Sequence, residues 1–306
     1  MHTRRTFLKD TAAATAYGLL LAQLASCKGG QKLVIPESAP YQMGFVRGNV
    51  GFFTERGGTI GWYADKGGIA VVDTQFPEQS QHLIGELQQL HAAPIDVLIN
   101  THHHGDHTAG NIAYKELTSR IVAHTNSKKN QAASAKARDT EDKQLYPTEV
   151  FTDELTIKVA AETIELSYHG AGHTDGDALV HFTKANVVHM GDLIFNRRFP
   201  YIDKGAGASI GNWINILDKV DGKYTDDTKF IFGHSSNGYD ITGTKEDIKA
   251  FKNYLEQLLS FGQQSIKAGR TLEEVKADTT VIPGAPQWTG KGIERSLDAV
   301  YQELQS

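Results

Sequence analysis

The chain has 306 residues, with 31 Lys+Arg, 36 Asp+Glu, 13 His, a formal net charge of -5 and 40% hydrophobic residues. That composition is ordinary for a globular protein and excludes wholesale disorder, and its acidic balance carries no electrostatic footprint for nucleic acid. One cysteine excludes an internal disulfide framework and any multi-cysteine metal site.

The N-terminus reads as an address. Arg4 and Arg5 precede Phe7-Leu8-Lys9, and an apolar run follows over 11–25, too short for a comfortable membrane span. The pattern resembles a twin-arginine export signal, and Leu24-Ala25-Ser26-Cys27 resembles the lipobox of bacterial lipoproteins. These resemblances imply cleavage before Cys27, acylation of that cysteine and residence in the periplasm or cell envelope. The expected organisation is a signal at 1–26, a tether at 27–43 and one catalytic domain at 44–306. The membrane would then be reached through a lipid anchor on Cys27.

Beyond the tether, β-rich runs at 45–54, 59–64 and 68–74 are broken by Arg56-Gly57-Gly58 and Lys66-Gly67-Gly68. They predict a meander of hairpins. Leu83, Ile84, Leu87 and Leu90 recur at helical spacing over 78–91. Residues 95–100 form a short apolar run, expected as a buried strand. A strand at 121–124 and a polar helix reaching about 143 follow. Runs at 155–159, 163–168, 178–182 and 187–190 predict a second sheet. A helix at 213–220, a strand at 229–232, an amphipathic helix at 245–263 and a last helix at 292–305 complete the pattern. Two β-rich halves, each covered by helices, predict an α/β protein, a four-layer αββα sandwich.

The histidines cluster. Directly after the strand ending at Asn100 comes Thr101-His102-His103-His104-Gly105-Asp106-His107. Imidazole and carboxylate are ligands for a divalent ion such as zinc, and four such groups in six residues can serve two adjacent ions. Three further ligand-type residues, His173, Asp192 and His234, each follow an apolar strand and a glycine, which is expected to let backbone approach the metal.

These motifs in this order resemble the metallo-β-lactamase fold superfamily, over roughly residues 44–262. The resemblance implies an αββα sandwich with two zinc ions between the sheets. His102, His104 and His173 would hold one ion and Asp106, His107 and His234 the other, with Asp192 bridging. Iron or manganese is less favoured, because His104 stands where diiron oxidoreductases of the family carry Glu. The family's chemistry implies a metal-bridging hydroxide oriented by Asp106, the catalytic residue, acting on an amide, lactam, lactone or ester. Asp192 resembles the bridging residue of glyoxalase II and other hydrolases, where the β-lactamases often have Cys.

The substrate is a small molecule whose identity the sequence leaves open. The β-lactamase lysine that meets the substrate carboxylate corresponds to Phe195, so Asn196, Arg197 and Arg198 are the substrate-binding candidates, Arg being suited to a bidentate anion contact. Phe52, Phe53 and Trp62 would form either an apolar lid or core. His103 is expected to point away from the metals, Thr174 to hydrogen-bond beside the site, and His124, His169, His181 and His189 to be packing residues. The alternatives are thioester or phosphodiester hydrolysis, or a non-catalytic metal-binding protein of the periplasm. The tail after Thr271 is not clearly basic, which weakens the thioester reading.

Overall fold

The computed structural model describes Leu33 and residues 35–305. The expected export signal and the acylation site at Cys27 lie outside the described residues.

The first half begins with the meander β1 (Gln42–Arg47), β2 (Val50–Thr54), β3 (Ile60–Asp65) and β4 (Gly68–Val72). The run at 45–54 is two strands and not one. Gly48 takes a left-handed φ of 57° and turns the chain. Helix α1 (Pro77–Leu90) then carries the chain back to β5 (Ile95–Asn100), parallel to β4. After the short helix α2 (Gly105–Thr108), β6 (Ile121–His124), α3 (Thr125–Ala137) and β7 (Glu149–Phe151) complete a seven-stranded sheet in sequential order. Helix α3 stops short of 143. Asp139 turns left-handed at φ 50°, and Glu141–Lys143 forms a separate helical turn.

The second half has β8 (Glu154–Val159), β9 (Glu162–Tyr168), β10 (Ala178–Phe182) and β11 (Val187–His189). Then come β12 (Phe195–Asn196), α4 (Ile210–Lys223), β13 (Lys229–Ile231), β14 (His234–Ser235) and β15 (Thr242–Gly243). Helices α5 (Lys245–Lys267), α6 (Leu272–Asp278) and α7 (Ile293–Gln305) end the chain. The second sheet has the order β15-β13-β11-β10-β9-β8, and β12 pairs with β14 separately.

Strand alternation divides the apolar residues among three cores. Ile69 and Val71 of β4 face α1, where they meet Leu83 and Leu87. Ala70 and Val72 face the other way, into a core shared with Val180 and Ile164 of the second sheet. The far side of that sheet packs Val188 against Trp213 of α4, Phe251 of α5 and Leu297 of α7. Three cores between four layers make the αββα sandwich that the sequence pattern predicts. Phe53 and Trp62 belong to the α1 core and are fully buried, so they form no lid.

Candidate metal centre

Parallel strands end together, and ligands gather beyond their carboxyl ends. The loop after β5 places His102, His104, Asp106 and His107 there, the last two on α2. His173 follows β9, Asp192 follows β11, and His234 opens β14. The structure brings all seven together, in two sets joined by one carboxylate.

In the first set, His104 Nδ1 lies 3.0 Å from His102 Nε2 and 2.9 Å from His173 Nε2. The opposite nitrogen of each ring is engaged outward. His102 Nδ1 donates to Thr101 Oγ1 at 3.0 Å, His104 Nε2 to Asp203 at 2.8 Å, and His173 Nδ1 to the Tyr201 carbonyl at 2.6 Å. A carbonyl can only accept, so the His173 proton sits on Nδ1. Burial holds His102 well below the usual imidazole range and takes His173 down to about 3, so both rings are neutral. Three lone pairs therefore converge on one point, an arrangement that a cation satisfies.

The second set balances its charges differently. His234 Nε2 lies 3.3 Å from Asp106 Oδ2 and 3.4 Å from Asp192 Oδ2, and His107 Nε2 lies 3.0 Å from Asp192 Oδ1. Burial alone would push the His107 imidazole down, but Asp192, Asp73 and Asp106 outweigh it and hold it well above the ordinary value. His234 is raised in the same way, by Asp192 and Asp106 against burial. Burial would raise Asp192, and His234 and His107 hold it well below the carboxylate range. His107 Nε2 and Asp192 Oδ1 are nonetheless buried without a hydrogen-bond partner among the described residues. Orphaned ligand-type atoms, one imidazole and one carboxylate, are what a divalent cation would pair. Asp192 Oδ2 also lies 3.8 Å from His102 Nε2 and 3.5 Å from His173 Nε2, so this carboxylate faces both sets.

Two orienting residues escape sequence reasoning. Asp73, fully buried after β4, accepts from Thr101 N at 2.8 Å, Thr101 Oγ1 at 2.7 Å and His107 Nδ1 at 2.8 Å. Asp73 and Gln75 hold left-handed φ values of 65° and 53°, strain that the hydrogen bonds maintain. Asp203 does for His104 what Asp73 does for His107. The only signals for them were an acidic residue closing a buried strand and another beside the Arg197-Arg198 stretch.

The glycines act on neighbours of the centre. A Cβ at Gly233 would come 2.0 Å from Asp192 Oδ1, and one at Gly58 would come 2.1 Å from the His107 ring. The sequence reading of Gly233 as room for the metal is corrected to room for Asp192, and Gly57-Gly58 is more than a turn.

Of the substrate candidates, Arg198 lines the cleft over the centre, but Asn196 and Arg197 are occupied. Asn196 donates to the Asp240 carbonyl at 2.9 Å. Arg197 bonds Asn196 Oδ1 and Asp247, and its guanidinium lies 5.1 Å from the Trp288 ring centroid. Phe195 stacks on His234 with ring centroids 5.3 Å apart. His103 is buried with Nε2 3.7 Å from Asp203 Oδ2, outside the seven residues of the two sets. His189 accepts from Gly191 N–H and donates to the Thr59 carbonyl, so it braces the Asp192 turn. Thr174 donates twice to Asp177, whose carboxyl burial pushes up to about 7. His124 stacks on Tyr168, His169 meets Ser167, and His181 packs beside Tyr224.

The family model described as Metallo-beta-lactamase superfamily matches residues 53–234. The chain is 24% identical over 170 residues to metallo-beta-lactamase IND-1 of Chryseobacterium indologenes, covering 55% of this chain and 68% of that protein. It is 29% identical over 155 residues to 2,4-dinitroanisole O-demethylase subunit alpha of Nocardioides sp. (strain JS1661), covering 49% of this chain and only 45% of that one. Among solved structures, the sec-alkylsulfatase Pisa1 from Pseudomonas sp. aligns with a TM-score of 0.65 at 15% identity, over 85% of this chain and 49% of its own. A metallo-beta-lactamase from Pontibacter korlensis aligns with a TM-score of 0.57 at 16% identity, over 71% of this chain and 99% of its own. At such identities the likeness of structure speaks for the fold alone.

Proposed function

Because the chain belongs to the metallo-beta-lactamase superfamily of metal-dependent hydrolases, we propose that it is a dizinc hydrolase acting on an amide, lactam, lactone or ester. The observation that carries this reading is the position of Asp192, whose two oxygens face the His102-His104-His173 set and the Asp106-His107-His234 set. Divalent ions held there would polarise a substrate oxygen and acidify a coordinated water. The protein's own part is preorganisation. Thr101, Asp203, the Tyr201 carbonyl and Asp73 keep protons on the outward nitrogens of His102, His104, His173 and His107, so that the inward ones are free to ligate. Asp106 is the most exposed of the seven, at 34%, and lines the cleft, where its carboxylate can accept a hydrogen bond from an attacking water.

The test combines elemental analysis with turnover of chromogenic lactam, lactone, ester, thioester and phosphodiester substrates, with and without chelator. Two zinc ions per chain and chelator-sensitive turnover of a lactam, lactone or ester support the proposal. Turnover confined to the thioester or phosphodiester replaces the bond cleaved. One iron per chain, or metal without any turnover, refutes it. Export and acylation at Cys27 are a separate proposal, supported by Arg4-Arg5 and the sole cysteine. Mass spectrometry of the membrane fraction checks it, and an unmodified N-terminus on soluble protein would overturn it.

A further inference from the structure

The cleft over Asp106, Asp192 and His234 has a volume of about 610 Å³ and carries four cations on its walls, Arg138, Arg198, Lys291 and Arg295. They come from distant stretches. Arg138 caps α3, Arg198 follows β12, and Lys291 and Arg295 flank the start of α7. All four are exposed, and none has an ion-pair or side-chain hydrogen-bond partner among the described residues. Several cations elsewhere on the chain are paired. Arg47 pairs with Asp227, Arg120 with Glu149, Lys204 with Glu303 and Arg270 with Asp278. The two acids lining the cleft, Asp106 and Asp192, are already turned to the imidazoles. Four like charges around one concavity repel one another and focus a positive field into it, a cost that an anionic ligand removes. The same walls are apolar elsewhere: Phe76, Phe199 and Pro200 line them, and Tyr201 is 44% exposed.

We propose that the substrate carries an oxyanion, a carboxylate, sulfate or phosphate group, on an apolar body, and that Arg138, Arg198, Lys291 and Arg295 hold that group in the cleft. The inference rests on the hydrolase reading for the word substrate, and it names the substrate's class. It also assigns a binding role to α7, which lies beyond residues 53–234, the part matched by the family model. Phe195 stacks on His234, so the charge for an anion comes from other elements.

The test is calorimetric titration of the metal-loaded full chain with benzoate, benzenesulfonate and phenylphosphonate, and with neutral benzamide as control. The wild type is compared with Arg138→Gln and with the double variant Lys291→Gln/Arg295→Gln, all exposed positions whose loss leaves the cores intact. The expected result is an affinity for the anions about tenfold weaker in the double variant, with benzamide binding and metal content unchanged. The anion affinity of the wild type should also fall as salt rises. The anion bound tightest identifies the group. Variants that bind every anion as tightly as the wild type would overturn the proposal, because the metals alone would then hold the anion. Equal weakening of benzamide and anions would overturn it too, by reducing α7 to a structural wall. The readout is binding, so anion selectivity without turnover of any substrate refutes the hydrolase reading and leaves this one standing. Turnover without anion selectivity does the reverse.

Discussion

Replacing Asp73 with Asn changes one atom and reverses a tautomer. Asp73 Oδ1 accepts the Thr101 backbone N–H, so the amide oxygen of an Asn stays there. The new NH2 group then faces His107 Nδ1, which now donates to Oδ2 at 2.8 Å. Two donors cannot face each other, so His107 must move its proton to Nε2, the nitrogen 3.0 Å from Asp192 Oδ1. The lone pair needed for ligation is then turned away from the second set. Loss of such an orienting partner weakens metal binding by roughly 10–100-fold, or about 1.4–2.7 kcal/mol. The first set is affected less: Thr101 Oγ1 loses its acceptor at Oδ2, but a hydroxyl can accept from the new NH2 and from His102 Nδ1 together. Competition against a chromophoric chelator separates the two affinities. The expected result is one ion bound nearly as in the wild type and a second bound more weakly. Two ions bound with unchanged affinity would refute the orienting role of Asp73, and equal weakening of both would point to general loosening of the fold.

Other outcomes follow from the same geometry. Acidification should expel metal from the second set first. His107 and His234 are raised, so protons compete there as pH falls through their elevated values, whereas His102 and His173 are lowered and stay neutral. A pH series of metal content with equal loss from both sets would contradict this. Asp106→Ala should abolish turnover while circular dichroism and the first ion are preserved; full activity would remove Asp106 from the chemistry. Gly58→Ala drives a methyl into the His107 ring and should cost about 1–3 kcal/mol of stability, together with weaker binding of the second ion, both readable in thermal melts with and without metal. Arg197→Ala should cost about 1–2 kcal/mol through its lost Asp247 and Trp288 contacts, with kcat/KM unchanged; a large kcat/KM loss would return it to the substrate site.

What could be read in advance was local or periodic. The candidate ligands after β5 fall within six residues, and the buried run Ile95–Asn100 announces the strand end that aims them. His173, Asp192 and His234 were legible because each stands just past an apolar strand. Strand β7 has three residues and too short a period to register, and α6 is announced by little more than its capping residues Thr271 and Glu274. Asp73 and Asp203 act through contacts 34 and 99 residues away in the chain, where no spacing rule reaches. Arg197 and Arg198 look alike in sequence. One lies against Trp288 and the other lines the cleft, a difference that tertiary packing alone decides.

Each candidate ligand set draws on both halves of the chain. His104 and His173 are 69 residues apart in sequence, yet their inward nitrogens nearly touch. An ion seated there would act as a removable cross-link, closing a long chain loop in the manner of a disulfide that this one-cysteine protein cannot form. Its binding energy would then be folding energy as well. A chelator should therefore lower the protease resistance of the junction between the two halves along with any activity, and metal scarcity in the cell would limit how much of the protein survives as well as how fast it works.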